Sequence, residues 1–90
     1  MLVAKDGEII AHKLKAFIKK RSRKHKVAIV RIKGKEVGRF NIRRGSGELD
    51  HNYIARQIYI SMREAEEIAG CTKNLPDYEA SLKNSGHYPS

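Results

Sequence analysis

Ninety residues are enough for one domain with a single thin core and too few for a deep pocket by default. One cysteine argues against a disulfide-stapled secreted domain, and no apolar run approaches the ~20 residues of a bilayer span. The net charge of +9 is carried almost wholly by the first half, since residues 1–44 hold 15 Lys/Arg against 3 Asp/Glu while residues 45–90 hold 4 against 7. Such a field is the footprint of a protein that meets a polyanion, although solubility or an acidic protein partner would draw on the same charge.

The first segment, "GEIIAHKLKAFIKK", residues 7–20, reads as a helix behind an Asp6 N-cap. Ile10, Leu14, Phe17 and Ile18 follow helical spacing and form one apolar stripe, and Lys19, Lys20 and Arg21 fall in the last turn, where cations favour the helix dipole. A basic amphipathic helix can lie on an anionic membrane, but a stripe that faces the core explains the pattern without one. The single cysteine, Cys71, points to a reducing, intracellular location, and Lys5, Asp6 and Glu8 interrupt the place where a signal-peptide core would lie, so the expected location is cytoplasmic. In "KKRSRKHK", residues 19–26, six of eight residues are Lys or Arg. It reads as a solvated connector whose Lys19, Lys20, Arg21, Arg23, Lys24 and Lys26 are suited to phosphates.

"VAIVRIK", residues 27–33, is β-branched and extended, with Ala28, Val30 and Ile32 on one face and Ile29, Arg31 and Lys33 on the other. "KGKE" around Gly34 is a tight hairpin turn, and 36–43 is the partner strand. Phe40 and Ile42 continue the apolar face, while Arg39, Asn41 and Arg43 line up on the opposite one, followed by Arg44 and a Gly-rich loop.

Residues 52–70, "NYIARQIYISMREAEEIAG", support two readings. As one helix, Ile54, Ile58, Met62, Ala65 and Ala69 form a stripe but Tyr53 and Ile60 are left exposed. The preferred reading is a third strand over 53–60, which places Tyr53, Gln57 and Tyr59 on the open face and leaves Arg56 as a misfit on the core side. Ser61 and Glu64 then make a capping box for a short helix ended by Gly70 at C′. In the tail, residues 71–90, Asn74, Pro76 and Gly86 bracket a short helix that Leu75, Tyr78 and Leu82 can dock. The final "NSGHYPS" is expected to be flexible.

The fold class that results is α+β: an N-terminal helix, an antiparallel sheet of two or three strands, and a helix on one face, in the order αβββα over residues 1–70, with a partly docked tail. The uncovered face would display Arg31, Lys33, Arg39, Asn41, Arg43, Tyr53, Gln57 and Tyr59. A polar outer face is usual for a one-sided sheet, but only Glu36 is acidic among residues 27–44. A narrow antiparallel ribbon enters the DNA major groove, where Arg reads guanine and Asn or Gln reads adenine, while lysines hold phosphates.

The stretches "GKEVGRFNI" and "ARQIYISMREAEEIAG" resemble the N-terminal arm-site-binding domains of phage-type tyrosine integrases, over about residues 26–70. That resemblance implies three strands, a short helix and DNA read by the exposed sheet, carried here onto Arg31, Arg39, Asn41 and Arg43. Ninety residues leave no room for a recombinase catalytic domain, so strand exchange is not expected to carry over. "SMREAEEIAG" is also similar to double-stranded-RNA-binding domains, which share the αβββα order. Those domains want a basic cluster at the start of the last helix, where this chain has Glu64, Glu66 and Glu67.

Two other DNA-binding folds fit less well. A ribbon-helix-helix has no place for the strand 27–33. A helix-turn-helix over 63–81 meets Glu66 where a small residue packs and Pro76 in the recognition helix. His12, His25, His51, His87 and Cys71 show no ligand spacing, and no phosphate-cradling loop motif occurs, so neither catalysis nor a cofactor is expected. The sequence thus predicts a small DNA-binding protein. The alternative is an interaction module of a phage or mobile element that docks on a nucleic-acid-processing complex.

Overall fold

The structure, a computed structural model, describes residues 2–23, 25–43 and 51–89. It is α+β, as the patterning predicts: a helix, a three-stranded antiparallel sheet, then helices. The identity of one strand differs from the expectation. Helix α1 spans Ala4–Lys13, strands β1, β2 and β3 span Phe17–Lys20, His25–Ile32 and Lys35–Arg43, and helices α2, α3 and α4 span Tyr53–Gln57, Met62–Ala69 and Leu75–Ser85. The third strand therefore lies before the predicted hairpin, and residues 53–57 are helical.

Helix α1 starts three residues earlier than predicted. Val3 is its N-cap, and Asp6 sits within the first turn, where its Oδ2 accepts from the Val3 N–H at 2.9 Å. It also ends seven residues earlier. The N–H of Ala16 donates to the Ala11 carbonyl and that of Lys15 to the His12 carbonyl, which is a Schellman turn. Lys15, at φ 53°, holds the left-handed position normally given to glycine. Phe17 and Ile18 leave the helix at this point, and instead of joining its buried stripe they stand 57% and 42% exposed on β1. Lys19 and Lys20 are strand residues for the same reason.

The same device closes the next two helices. Ile60 N–H reaches the Ala55 carbonyl with Tyr59 left-handed at φ 65°, and Thr72 N–H reaches the Glu67 carbonyl with Cys71 at φ 66°. Gly70 is thus the C-cap itself, one residue before the left-handed position assigned to it from sequence. The predicted Ser61 cap is present, its Oγ accepting from the Glu64 N–H at 3.1 Å. Arg56, the misfit of the strand reading, is exposed on α2.

Between β2 and β3 a two-residue loop, Lys33–Gly34, has both residues at positive φ, the requirement of a type I′ hairpin. The sheet order is β1-β2-β3. In register, Phe17, Ile29 and Arg39 lie side by side, as do Lys19, Val27 and Asn41, and Ile18, Ala28 and Phe40. A bulge at Val30/Arg31 shifts the far end of the ladder.

One face of the sheet, with Ala28, Val30, Ile32, Phe40 and Ile42, forms the core with Ile10 and Ala11 of α1 and its C-cap Leu14, Ile54 of α2 and the following Ile58, and Ala65 and Ile68 of α3. From α4, Tyr78 and Leu82 complete that core; both are fully buried, and the Tyr78 hydroxyl donates to the Ile58 carbonyl at 3.0 Å. Beyond α4 the chain folds back. Tyr88 is half-buried, with its hydroxyl 3.2 Å from Glu79 Oε1 and the Lys33 and Lys83 ammonium groups over its ring.

The two borders of the sheet are treated differently. Along β3, the N–H of Arg43 donates to His51 Nε2 at 3.0 Å, and the Tyr53 hydroxyl donates to the Asn41 carbonyl. Gly38 lets the Gln57 carbonyl approach, since a Cβ there would lie 2.6 Å from that oxygen. Along β1, all four residues are exposed and the outer border is unpaired among the described residues.

Candidate nucleic-acid interface

Strand alternation and register decide which side chains share the face away from the core. They are Phe17 and Lys19 of β1, His25, Val27, Ile29 and Arg31 of β2, and Glu36, Arg39, Asn41 and Arg43 of β3. Val27 and Ile29 lie outside the main core cluster yet are 3% and 7% exposed. They occupy the middle strand, flanked in register by Phe17, Lys19, Arg39 and Asn41. The result is an apolar floor with cations around it. The Arg31 guanidinium lies 5.7 Å from the Phe17 ring centroid, a cation–π contact that gives the exposed ring a partner.

Arg39 is engaged with Glu36. Its Nε donates to Glu36 Oε2 at 3.0 Å and its Nη2 to Oε1 at 2.6 Å, a fork-on-fork pair. That hydrogen bonding holds the Glu36 carboxyl below the usual carboxylate range and pushes the Arg39 guanidinium up. Both groups are solvent-exposed, so the pair can exchange partners.

Of the residues singled out from sequence, Lys19, Arg31, Arg39, Asn41 and Arg43 come together on this face, with Arg21 and Arg23 exposed in the hairpin turn at its end. Six others do not join it. Lys20 and Lys26 point to the core side, because they pair with each other and with Ile42, and Lys26 Nζ lies 3.2 Å from Glu8 Oε1 of α1. Lys33 belongs to the turn and sits over Tyr88. Tyr53 is spent on the β3 border, where burial pushes its phenol up. Gln57 is on α2, beyond β3. Tyr59 follows α2 and stacks on His87, centroids 4.2 Å apart and planes at 13°. Lys24 and Arg44 lie outside the described residues.

Sequence reasoning missed Phe17, the aromatic of the open face. Its spacing from Leu14 matched a helix, and no glycine marked the end of α1. Among the described residues no three His, Cys, Asp or Glu side chains converge as metal ligands, and no helix is long and apolar enough to cross a membrane. Compared with known proteins, this chain matches no family model, no curated protein and no solved structure.

Proposed function

We propose that this protein binds double-stranded DNA with the face of its sheet that points away from the helices. The observation that carries the reading is the segregation of the two faces: helices on one, and on the other Lys19, Arg31, Arg39, Asn41 and Arg43 around an apolar floor. Two interstrand spacings make the ribbon about 10 Å across at the backbone, against a major groove about 12 Å wide. Asn41 and the Arg forks suit base edges, and the β1–β2 turn with Arg21 and Arg23 suits the phosphates that flank the groove. The A-form major groove of RNA is too narrow for such a ribbon. The role agrees with the cytoplasmic location expected from the single cysteine.

The test is fluorescence anisotropy with a blunt DNA duplex, repeated with duplex RNA. If Lys19, Arg21, Arg23, Arg31 and Arg43 each neutralise one phosphate, affinity falls about 500-fold between about 50 and 200 mM salt. The double variant Arg31→Glu/Arg43→Glu removes binding while leaving the fold intact by circular dichroism. Salt-independent affinity, or a variant that binds as well as the parent, rejects the sheet face as the interface.

A second reading rests on the bare border of β1, beside which Phe17 and Ile18 are exposed: an acidic extended segment of another protein could add a strand there. A stoichiometric protein partner that survives nuclease treatment would favour it.

A further inference from the structure

We propose that the groove between β3 and α2 holds an unpaired nucleobase stacked on Tyr59, adjoining the nucleic acid on the sheet; the inference rests on the DNA-binding reading above. The groove measures about 430 Å³ and is walled by Glu36, Gly38, Arg39, Arg56, Gln57 and Tyr59. That volume falls within the about 300–1,000 Å³ of small-ligand clefts. Gly38 makes the groove possible, because only a residue without a Cβ lets the end of α2 close on β3.

Tyr59 is the unusual wall. It occupies the left-handed position that ends α2, where a bulky residue is strained, and it contributes nothing to the core that its neighbours Ile58 and Ile60 do not. Its side chain is instead 45% exposed, with His87 stacked on the ring. A second left-handed turn, at Gly86 with φ 82°, precedes His87. Two separate turns thus build a parallel aromatic pair at the surface, and a base can extend such a stack irrespective of its sequence.

The polar groups around the ring fit that occupant. Gln57 offers both a donor and an acceptor to a base edge, and Glu36 accepts from an exocyclic amine. Arg56 is placed for the flanking phosphate. Arg39 lines the groove and also lies on the open sheet face, so a strand leaving a duplex on the sheet has a continuous path to Tyr59.

The experiment compares three DNA ligands: a blunt duplex, the same duplex with a three-nucleotide single-stranded extension, and one with an abasic extension of equal length. The base-bearing extension should tighten binding about tenfold over the abasic one. Tyr59→Asn, which keeps a residue tolerant of the left-handed backbone, should abolish that gain and leave blunt-duplex affinity unchanged. The protein contains no tryptophan, so Tyr59→Trp supplies a single reporter whose emission should be quenched only by the base-bearing extension. Equal affinity for the base-bearing and abasic ligands, or an unquenched reporter, overturns the groove inference. If the blunt duplex still binds with the expected salt dependence, the sheet reading stands alone; if no ligand binds, both readings fall.

Discussion

Gly38→Ala is the most local test of how the helical layer meets the sheet. The backbone at this position is in an ordinary extended region, so no conformational penalty attaches to alanine. The added Cβ would sit 2.6 Å from the Gln57 carbonyl oxygen and 3.5 Å from the Ile58 Cα. An ordinary carbon–oxygen contact needs about 3.4 Å, so α2 must retreat by about 0.8 Å, a strain of the overpacking class that costs about 1–3 kcal/mol. Alanine recovers about 0.4–1 kcal/mol by restricting the unfolded chain. The expected net loss is about 1–2 kcal/mol, from a total of about 5–13 kcal/mol for a domain of this size. That corresponds to a fall in Tm of about 4–16 °C. Urea denaturation followed by circular dichroism measures the loss, and amide shifts should cluster at residues 57–60. Gly34→Ala is the control, because nothing lies within 4 Å of its would-be Cβ and its cost comes from φ +75° alone. A Gly38→Ala protein as stable as the parent, with unshifted amides in 57–60, refutes the close approach of α2 to β3.

Two further outcomes follow from hydrogen bonds already described. The buried Tyr78 phenol is pushed well above its ordinary value, chiefly by desolvation, so the unfolded chain ionises near pH 10 while the folded one stays neutral. The stabilisation is complete below that pH and is lost above it by about 1.4 kcal/mol per pH unit. The urea midpoint of the parent should therefore drop faster between pH 10 and 11 than that of Tyr78→Phe, and parallel curves would contradict the burial. Glu36→Gln should release Arg39 from its fork and raise blunt-duplex affinity severalfold, with a salt slope steeper by about 1 and an unmoved urea midpoint. Weaker binding would mean that Glu36 orients Arg39 for contact instead of withholding it.

The readable parts of this chain were those in which local chemistry and tertiary role coincide. Alternation in 27–33 and 36–43 placed Ala28, Val30, Ile32, Phe40 and Ile42 in the core and Arg31, Arg39, Asn41 and Arg43 opposite them. Gly34, Ser61 and Gly86 marked a turn, a cap and a helix end through residue types suited to each. The misreadings share one cause. Helices α1 and α2 stop through a left-handed residue that is not glycine (Lys15 and Tyr59), so no stop signal is written in the residue type there, whereas Gly70 marks the end of α3 to within one residue. Without it, the stripe Ile10–Leu14–Ile18 runs on into β1, and Tyr53–Ile60 is left with only its strand-like composition. The candidate site is affected accordingly: strands β2 and β3 are legible, but the spacing puts Phe17 in a helix and the composition puts Tyr59 on the open face of a strand.

The unequal borders of the sheet limit how such molecules can aggregate. Growth by lateral strand addition requires two receptive sides, and residues 51–58 have already filled one. When a second copy joins through its own β1, both outer borders of the joint sheet are β3, so two copies could form a six-stranded pair but not a chain. A protein can therefore leave a strand bare for a partner without the hazard of native-state polymerisation, provided the opposite flank is plugged by its own histidine and tyrosine.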